Sequence, residues 1–333
     1  MKHSIRPKID RFTITLLSSI FLASILPLSD KISHHISQLS DLGISLLFFL
    51  HGARLSRKSV YDGLSHWRLH TLILACSFVL FPLLAQCLQP IAEYILTPQL
   101  ALGIVFLSIL PSTVQSSIAF TAIAGGNVSA AVCAASFSSV FGIFITPIIF
   151  TLLIGAQNTS QHQTSEVYTI LIQLILPFTL GHCLRPWIST WVAKKNALLK
   201  VLDQGTIVLI VFSAFISAKH DHLWQQIPIM VLANLILLLI VFFGLLFAIT
   251  KFLSRRLGFS TKDEIAIIFC GSKKSLANGV MMAKMLLPAT GLSATILPLI
   301  IYHQVQLIIC AMIAAHYAKK GALLSDSHNA HVV

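Results

Sequence analysis

Apolar stretches near the length that crosses a bilayer recur along the whole chain: 12–28, 37–53, 69–88, 99–123, 128–154, 167–187, 198–217, 229–250, 264–287 and 292–316. A helix rises about 1.5 Å per residue, so roughly 20 apolar residues span the hydrocarbon core. No segment between these ten is long enough for a soluble domain. Composition agrees, with 56% hydrophobic and only 10% charged residues and a mean hydropathy of +0.85. A soluble domain carries about 25% charged residues. The chain is therefore expected to be an all-α integral membrane protein whose first partner is the lipid bilayer.

The net charge of +12 raises the question of a nucleic-acid partner, but its distribution follows membrane topology instead. With the N-terminus inside, the inner segments hold Lys2, Arg6, Lys8, Arg11, Arg54, Arg57, Lys58, Arg68, Arg185, Lys194, Lys195, Lys200, Lys251, Arg255, Arg256, Lys262, Lys319 and Lys320. The outer loops hold Lys31 and Lys219 alone. Both termini are predicted to be cytoplasmic, and no nucleic acid is expected. The membrane is the plasma membrane, which in a Gram-negative cell is the inner one. The basic start resembles a signal peptide, yet no small-residue cleavage site follows Leu26-Pro27-Leu28, which keeps this segment as the first helix. All six cysteines lie within spans, without metal-ligand spacing, and packing is their expected role.

Ten spans divide into two sets of five, and a tandem unit with an odd number of spans must emerge in opposite orientations, as in inverted-repeat transporters. The fourth span of each half supports the division. Span four is interrupted at Leu110-Pro111-Ser112-Thr113 and continues through Gln115-Ser116-Ser117, while span nine is interrupted at Gly271-Ser272-Lys273-Lys274-Ser275. Short polar turns follow, Gly125-Gly126-Asn127 and Ala289-Thr290-Gly291. The reading is two inverted repeats, 1–155 and 166–318, with a tail at 319–333 and with helices four and nine discontinuous and crossing at the midplane. Proline removes a donor and disfavours helix before it, so carbonyls near Ile109 and Leu110 are expected to lose their partners. Such groups are tolerated at membrane depth only in protein or beside a water-filled cavity.

Lys273 and Lys274 mark the site most sharply. A charge at the centre of a membrane helix costs about 2.5–3.5 kcal/mol on insertion scales, so intramembrane charges mark functional cavities. Lys273 lies about nine residues into its span, roughly 13 Å of helix and too deep for easy snorkelling. Lys284, near the span end, is expected to snorkel. Consecutive helical residues point about 100° apart. Lys273 is taken as the cavity-facing group, with Lys274 paired to a backbone carbonyl or to Asp203; a structural ion pair with Asp203 is the competing reading. The candidate substrate- or ion-binding set is Pro111, Ser112, Thr113, Gln115, Ser116, Ser117, Asn127, Gly271, Ser272, Lys273, Lys274, Ser275 and Asn278. No catalytic or metal site is expected.

At these interruptions the chain resembles the bile acid:sodium symporter superfamily, closest to its SBF-like branch, over essentially all ten spans. The likeness rests on residues 110–121, on Gly126-Asn127-Val128 leading to Thr146-Pro147, and on 270–279. It implies a panel domain from spans one, two, six and seven and a core domain from spans three to five and eight to ten. In the sodium-coupled branch the ninth span carries a Glu and a Gln-Asn pair, and the fifth span offers hydroxyls to sodium. Here the corresponding residues are Phe269, Lys273-Lys274, and Ala131 and Ala135, with Ser129 and Ser136 offset from the latter. Two ammonium groups would repel sodium by several kcal/mol at intermediate dielectric, so sodium is a doubtful cofactor for this chain.

The expected function is a secondary transporter moving a small organic anion by alternating access, the lysines and helix N-termini supplying positive potential. A lysine can stand in for a bound cation and can also cycle a proton. Two other classes compete. One is a regulatory or scaffold membrane protein with a transporter fold. The other is an intramembrane enzyme using a desolvated lysine, which the lack of a carboxylate partner or nucleophile-plus-base pair within a span disfavours, although His182 and His303 are possible bases.

Overall fold

In the computed structural model, described over residues 11–26, 28–54, 66–153, 163–220, 227–288 and 291–330, every regular element among those residues is helical. The helices are α1 (Arg11–Ile25), α2 (Asp30–Arg54), α3 (Trp67–Ala75), α4 (Phe81–Ile95), α5 (Pro98–Ser108), α6 (Gln115–Ile123) and α7 (Val128–Leu153). They continue with α8 (Gln163–Lys194), α9 (Asn196–His220), α10 (Ile229–Arg256), α11 (Thr261–Gly271), α12 (Leu276–Leu286) and α13 (Leu292–Ala330). Lys2, Arg6, Lys8, Pro27, Arg57, Lys58, Ala289 and Thr290, all used in the sequence reading, lie outside the described residues.

Helix occupies each of the ten expected spans. Six helical segments have the length and apolarity to cross a membrane: Lys31–Arg54, Trp67–Ile95, Val128–Leu153, Ala197–Ile216, Ile229–Arg256 and Leu292–Lys320. Phe12–Ile25 and Pro98–Ser108 are shorter apolar helices. Large apolar side chains such as Phe21, Leu42, Leu152, Ile229 and Leu237 are exposed, as a lipid-facing surface requires. The last helix runs on through 319–330, positions assigned to the tail, because no strong helix breaker follows Pro298.

Helix contacts in this bundle depend on missing side chains. A Cβ on Gly52 would collide with the Phe178 carbonyl and one on Gly181 with the Phe49 carbonyl, so α2 and α8 lie backbone against backbone. Such small-residue contacts are the usual means of close helix approach in lipid. Gly103 of α5 likewise meets Thr295 and Pro298 of α13. Gly125, at φ 71°, ends α6 in the left-handed conformation and turns the chain into α7.

Between α3 and α4, Cys76–Leu80 forms a π-helical turn. Its cause is Pro82, which has no N–H and whose ring would clash with a carbonyl of the preceding turn. The Phe81 N–H bonds back to the Cys76 carbonyl instead of to Ser77. The next donor that could reach Ser77 would be residue 82, and proline has none. One carbonyl at the heart of the bundle is thus left for another group.

Candidate functional site

The two expected interruptions are present, α5 ending at Ser108 before α6 begins at Gln115, and α11 ending at Gly271 before α12 begins at Leu276. They touch directly, with the Ser275 N–H donating to the Pro111 carbonyl at 2.9 Å. Several backbone groups released by the first break find specific partners. Thr146 Oγ1 donates to the Ile109 carbonyl at 2.9 Å, and the Ser112 N–H donates to Ser138 Oγ at 3.1 Å. Gly142 is needed beside them, because a Cβ there would strike the Pro111 ring.

Lys274 takes the remaining carbonyls. Its Nζ donates to Ser77 O at 2.7 Å, Ser108 O at 2.7 Å and Leu110 O at 2.6 Å. An ammonium has three N–H donors, so this one is saturated. All three acceptors lost their helical partners to Pro82 or to the break around Pro111. The Phe81 ring centroid lies 4.0 Å from the same nitrogen, a distance at which the ring face attracts a cation. Phe81 belongs to an aromatic cluster with Phe242 and Tyr302 that excludes water.

The second break is fastened by α13. The Gln306 side chain accepts from the Lys274 N–H and donates to the Lys274 carbonyl, both at 2.9 Å. Tyr302 Oη donates to the Ser272 carbonyl at 3.0 Å. Ser117 Oγ donates to the Phe269 carbonyl at 2.8 Å, which ties α6 to α11.

Lys273 has a different setting. Its Nζ donates to Ser116 Oγ at 2.5 Å and lies 4.5 Å from the Phe120 ring centroid. From Ser116 a hydroxyl chain runs to Thr113 at 3.1 Å and on to Ser117 at 3.0 Å. Beyond Ser116 lies a cavity of about 840 Å³ between α2, α6, α7, α9, α12 and α13. Its inner wall carries Thr113, Gln115, Ser116, Ser275 and Asn278 together with Ser136, Ser139 and His303, and its far end carries Arg54, Lys200 and Asp203.

Five expected site residues thus line the cavity: Thr113, Gln115, Ser116, Ser275 and Asn278. Pro111, Ser112, Ser117, Gly271, Ser272 and Lys274 form the packed junction behind it. Lys273 is fully buried and reaches the cavity through Ser116, a correction to the expectation that it faces the cavity itself. Asn127 sits elsewhere, capping α7 through Ala130 N and donating to Asp263 at 2.8 Å. Asp203 pairs with Arg54 at 2.6 Å rather than with either lysine. Lys284 pairs with Asp41 of α2 at 2.8 Å. Ser138, Tyr302, Gln306 and Ser77 were missed, and Thr146 entered only through the family resemblance. Single polar residues in apolar helices do not reveal their face, although Pro82, five residues past Ser77, marked the carbonyl that Lys274 uses.

The carbonyls of Ser77, Ser108 and Leu110 are engaged by Lys274, that of Ile109 by Thr146 and that of Phe269 by Ser117, whereas Ser112 Oγ is buried without a partner. Phe269 is buried against Phe120, at 5.8 Å between ring centroids. Ala131 and Ala135 are fully buried and offer no side-chain oxygen. Glu264, at the start of the ninth span, is held by Arg255 at 2.7 Å and Tyr317 at 2.7 Å. Among the described residues no group of three His, Cys, Asp or Glu side chains could hold a metal ion.

Comparison with known proteins identifies the family. "Uncharacterized protein PA2026" of Pseudomonas aeruginosa is 47% identical over 311 residues, 93% of each chain. The Escherichia coli K12 protein "Putative symporter YfeH" is 41% identical over 94% of each chain. "Sodium/bile acid cotransporter 7" of Xenopus tropicalis is 28% identical over 80% of this chain and 79% of that one. The model of the SBF-like CPA transporter family matches residues 10–319. With its apolar helices and paired helix breaks, the chain is a multi-pass membrane protein that belongs to the SBF-like CPA transporter family, within the bile acid:sodium symporter superfamily.

Proposed function

We propose that this protein is a secondary transporter that moves a small organic anion by alternating access, without sodium. The ten apolar segments cross the membrane as two inverted five-helix repeats, 1–155 and 166–318, with both termini in the cytoplasm. A panel of spans one, two, six and seven moves against a core of the other six. The membrane is the plasma membrane, the inner one in a Gram-negative cell. One observation carries the reading: the second halves of both broken helices, α6 and α12, begin on the wall of the same cavity, beside a buried ammonium. Helix N-termini favour anions, the more so where water is scarce. The cavity's polar wall holds hydroxyls and amides, with no carboxylate among the lining residues until Asp203 at the far end. With the termini inside, Arg54 and Lys200 place the mouth on the cytoplasmic face.

The donor set supports a cycle without sodium coupling. Lys274 is held by three carbonyls freed by Pro82 and the Pro111 break, so it takes the place of a coupling cation, permanently attached to the chain. Lys273 is then the group that responds to the cavity through Ser116. Purified protein in proteoliposomes, offered a panel of radiolabelled carboxylates and sulfonates, tests both parts. Saturable uptake or exchange of at least one anion, equal in sodium and choline media, is expected. A monodisperse preparation that moves none of them overturns the transport reading; uptake that requires sodium overturns the lysine substitution.

A further inference from the structure

The cavity is bordered at one end of α2 by Leu47, His51 and Arg54, while the other end of the same helix is fastened. Lys284, in the last turn of α12, lies 2.8 Å from Asp41 Oδ1. It also donates to the Ser37 carbonyl at 2.8 Å and to the Ser40 hydroxyl. Ser40 in turn donates to the Ser37 carbonyl at 2.7 Å, which fixes the acceptor pair. All three Lys284 contacts are on α2, so they join one element of the expected panel to one of the expected core.

We infer that the contact of Lys284 with Asp41, Ser37 and Ser40 is a latch that holds the face of the protein opposite the cavity mouth shut, and that it must open for the cavity to change sides. Two features favour this over a static tie. Lys284 is largely covered, whereas Asp41 keeps 61% of its side chain exposed, so water can receive the carboxylate when the pair parts. Exposed ion pairs are weak and are screened by salt, which suits a contact that is broken in each cycle. The geometry also connects the latch to the cavity. The first turn of α12 lines the cavity at Leu276, Ala277 and Asn278, and its eleven residues carry Lys284 near the other end. An occupant pressing on that first turn moves the lysine with it, because an α-helix of about three turns shifts as a unit.

The inference rests on the alternating-access reading, but its test needs no substrate. Ser136, which lines the cavity, is replaced by Cys in a background whose six native cysteines are changed to Ala or Ser. Labelling by a membrane-impermeant maleimide is measured in right-side-out and inverted vesicles. With the latch intact, labelling is expected from one face only. Lys284→Met and Asp41→Asn should each give a several-fold rise in labelling from the opposite face. The charge-swapped pair Asp41→Lys with Lys284→Asp should restore one-sided labelling. A cross-linked Asp41→Cys/Lys284→Cys pair should abolish labelling from the opposite face while keeping it from the first. If Lys284→Met and Asp41→Asn fold, label normally from the first face and gain nothing from the other, the latch is wrong. Should no anion be transported while the labelling pattern holds, the transport reading fails and the latch stands.

Discussion

The surroundings of the two adjacent ammonium groups differ as much as two buried sites of like charge can. Lys274 is saturated by three backbone carbonyls and faced by Phe81. Lys273 has one hydroxyl partner and one ring, and only Ser116 separates it from an open cavity. The difference shows how neighbouring residues of identical chemistry acquire separate tasks. One charge is consumed in building the junction of the broken helices. The other keeps unused hydrogen-bonding capacity, which a ligand or a water molecule can claim.

The largest expected effect comes from the saturated site. Lys274→Met removes the shared donor and leaves the carbonyls of Ser77, Ser108 and Leu110 buried without partners, at roughly 1–3 kcal/mol for each unsatisfied group. Thermal unfolding in detergent is expected to show a large loss of midpoint, or no monodisperse protein at all. A stable Lys274→Met protein would erase the contrast between the two sites. Pro82→Ala sharpens it. The new N–H at position 82 lets the π-helical turn relax to α-helix, so the Phe81 N–H competes for the Ser77 carbonyl. A loss of about 1 kcal/mol is expected, comparable with one hydrogen bond, and the effect should disappear in the Lys274→Met background.

Smaller still is the expected cost at the unsaturated site. Lys273→Gln should change the unfolding midpoint little, because glutamine can still reach Ser116 and the cavity can hydrate what is left. Uptake of the anion, or its dependence on pH, should nevertheless be lost, since the responsive charge is gone. Ser116→Ala is expected to leave expression and stability near those of the unmodified protein and to weaken uptake several-fold by cutting the link between Lys273 and the cavity. If Lys273→Gln destabilised the protein as strongly as Lys274→Met, both lysines would be structural.

How much of this was legible in the sequence depended on the range of each interaction. Breaks at Pro111 and at Gly271–Ser275 could be read locally, because proline and a polar run in an apolar span disturb their own helix. Carbonyl pairing for Lys274 was among the readings for the same reason: a break at Leu110-Pro111 releases carbonyls, and a buried ammonium needs acceptors. Which carbonyls Lys274 meets, and that Asp203 is not its partner, were not legible, because the unwound 272–275 segment has no helical periodicity to give direction. Gln306 and Tyr302 were missed because each sits in an apolar helix about 30 residues beyond the break it holds, where only tertiary packing selects its face. Asn127 was placed by symmetry with the second half, yet its role is the local one of capping α7. The pairing of Lys284 was not legible, since nothing in sequence ties it to Asp41, 243 residues away.

The most direct measurement is the unfolding midpoint of the purified unmodified protein in sodium chloride against choline chloride at equal ionic strength. A bound ion stabilises the state that binds it in proportion to the logarithm of its saturation. If the Lys274 ammonium occupies the place of a coupling cation, the two midpoints coincide across the concentration series. A midpoint that climbs with sodium and not with choline would reveal a sodium site in the folded protein and contradict the substitution of that ion by lysine.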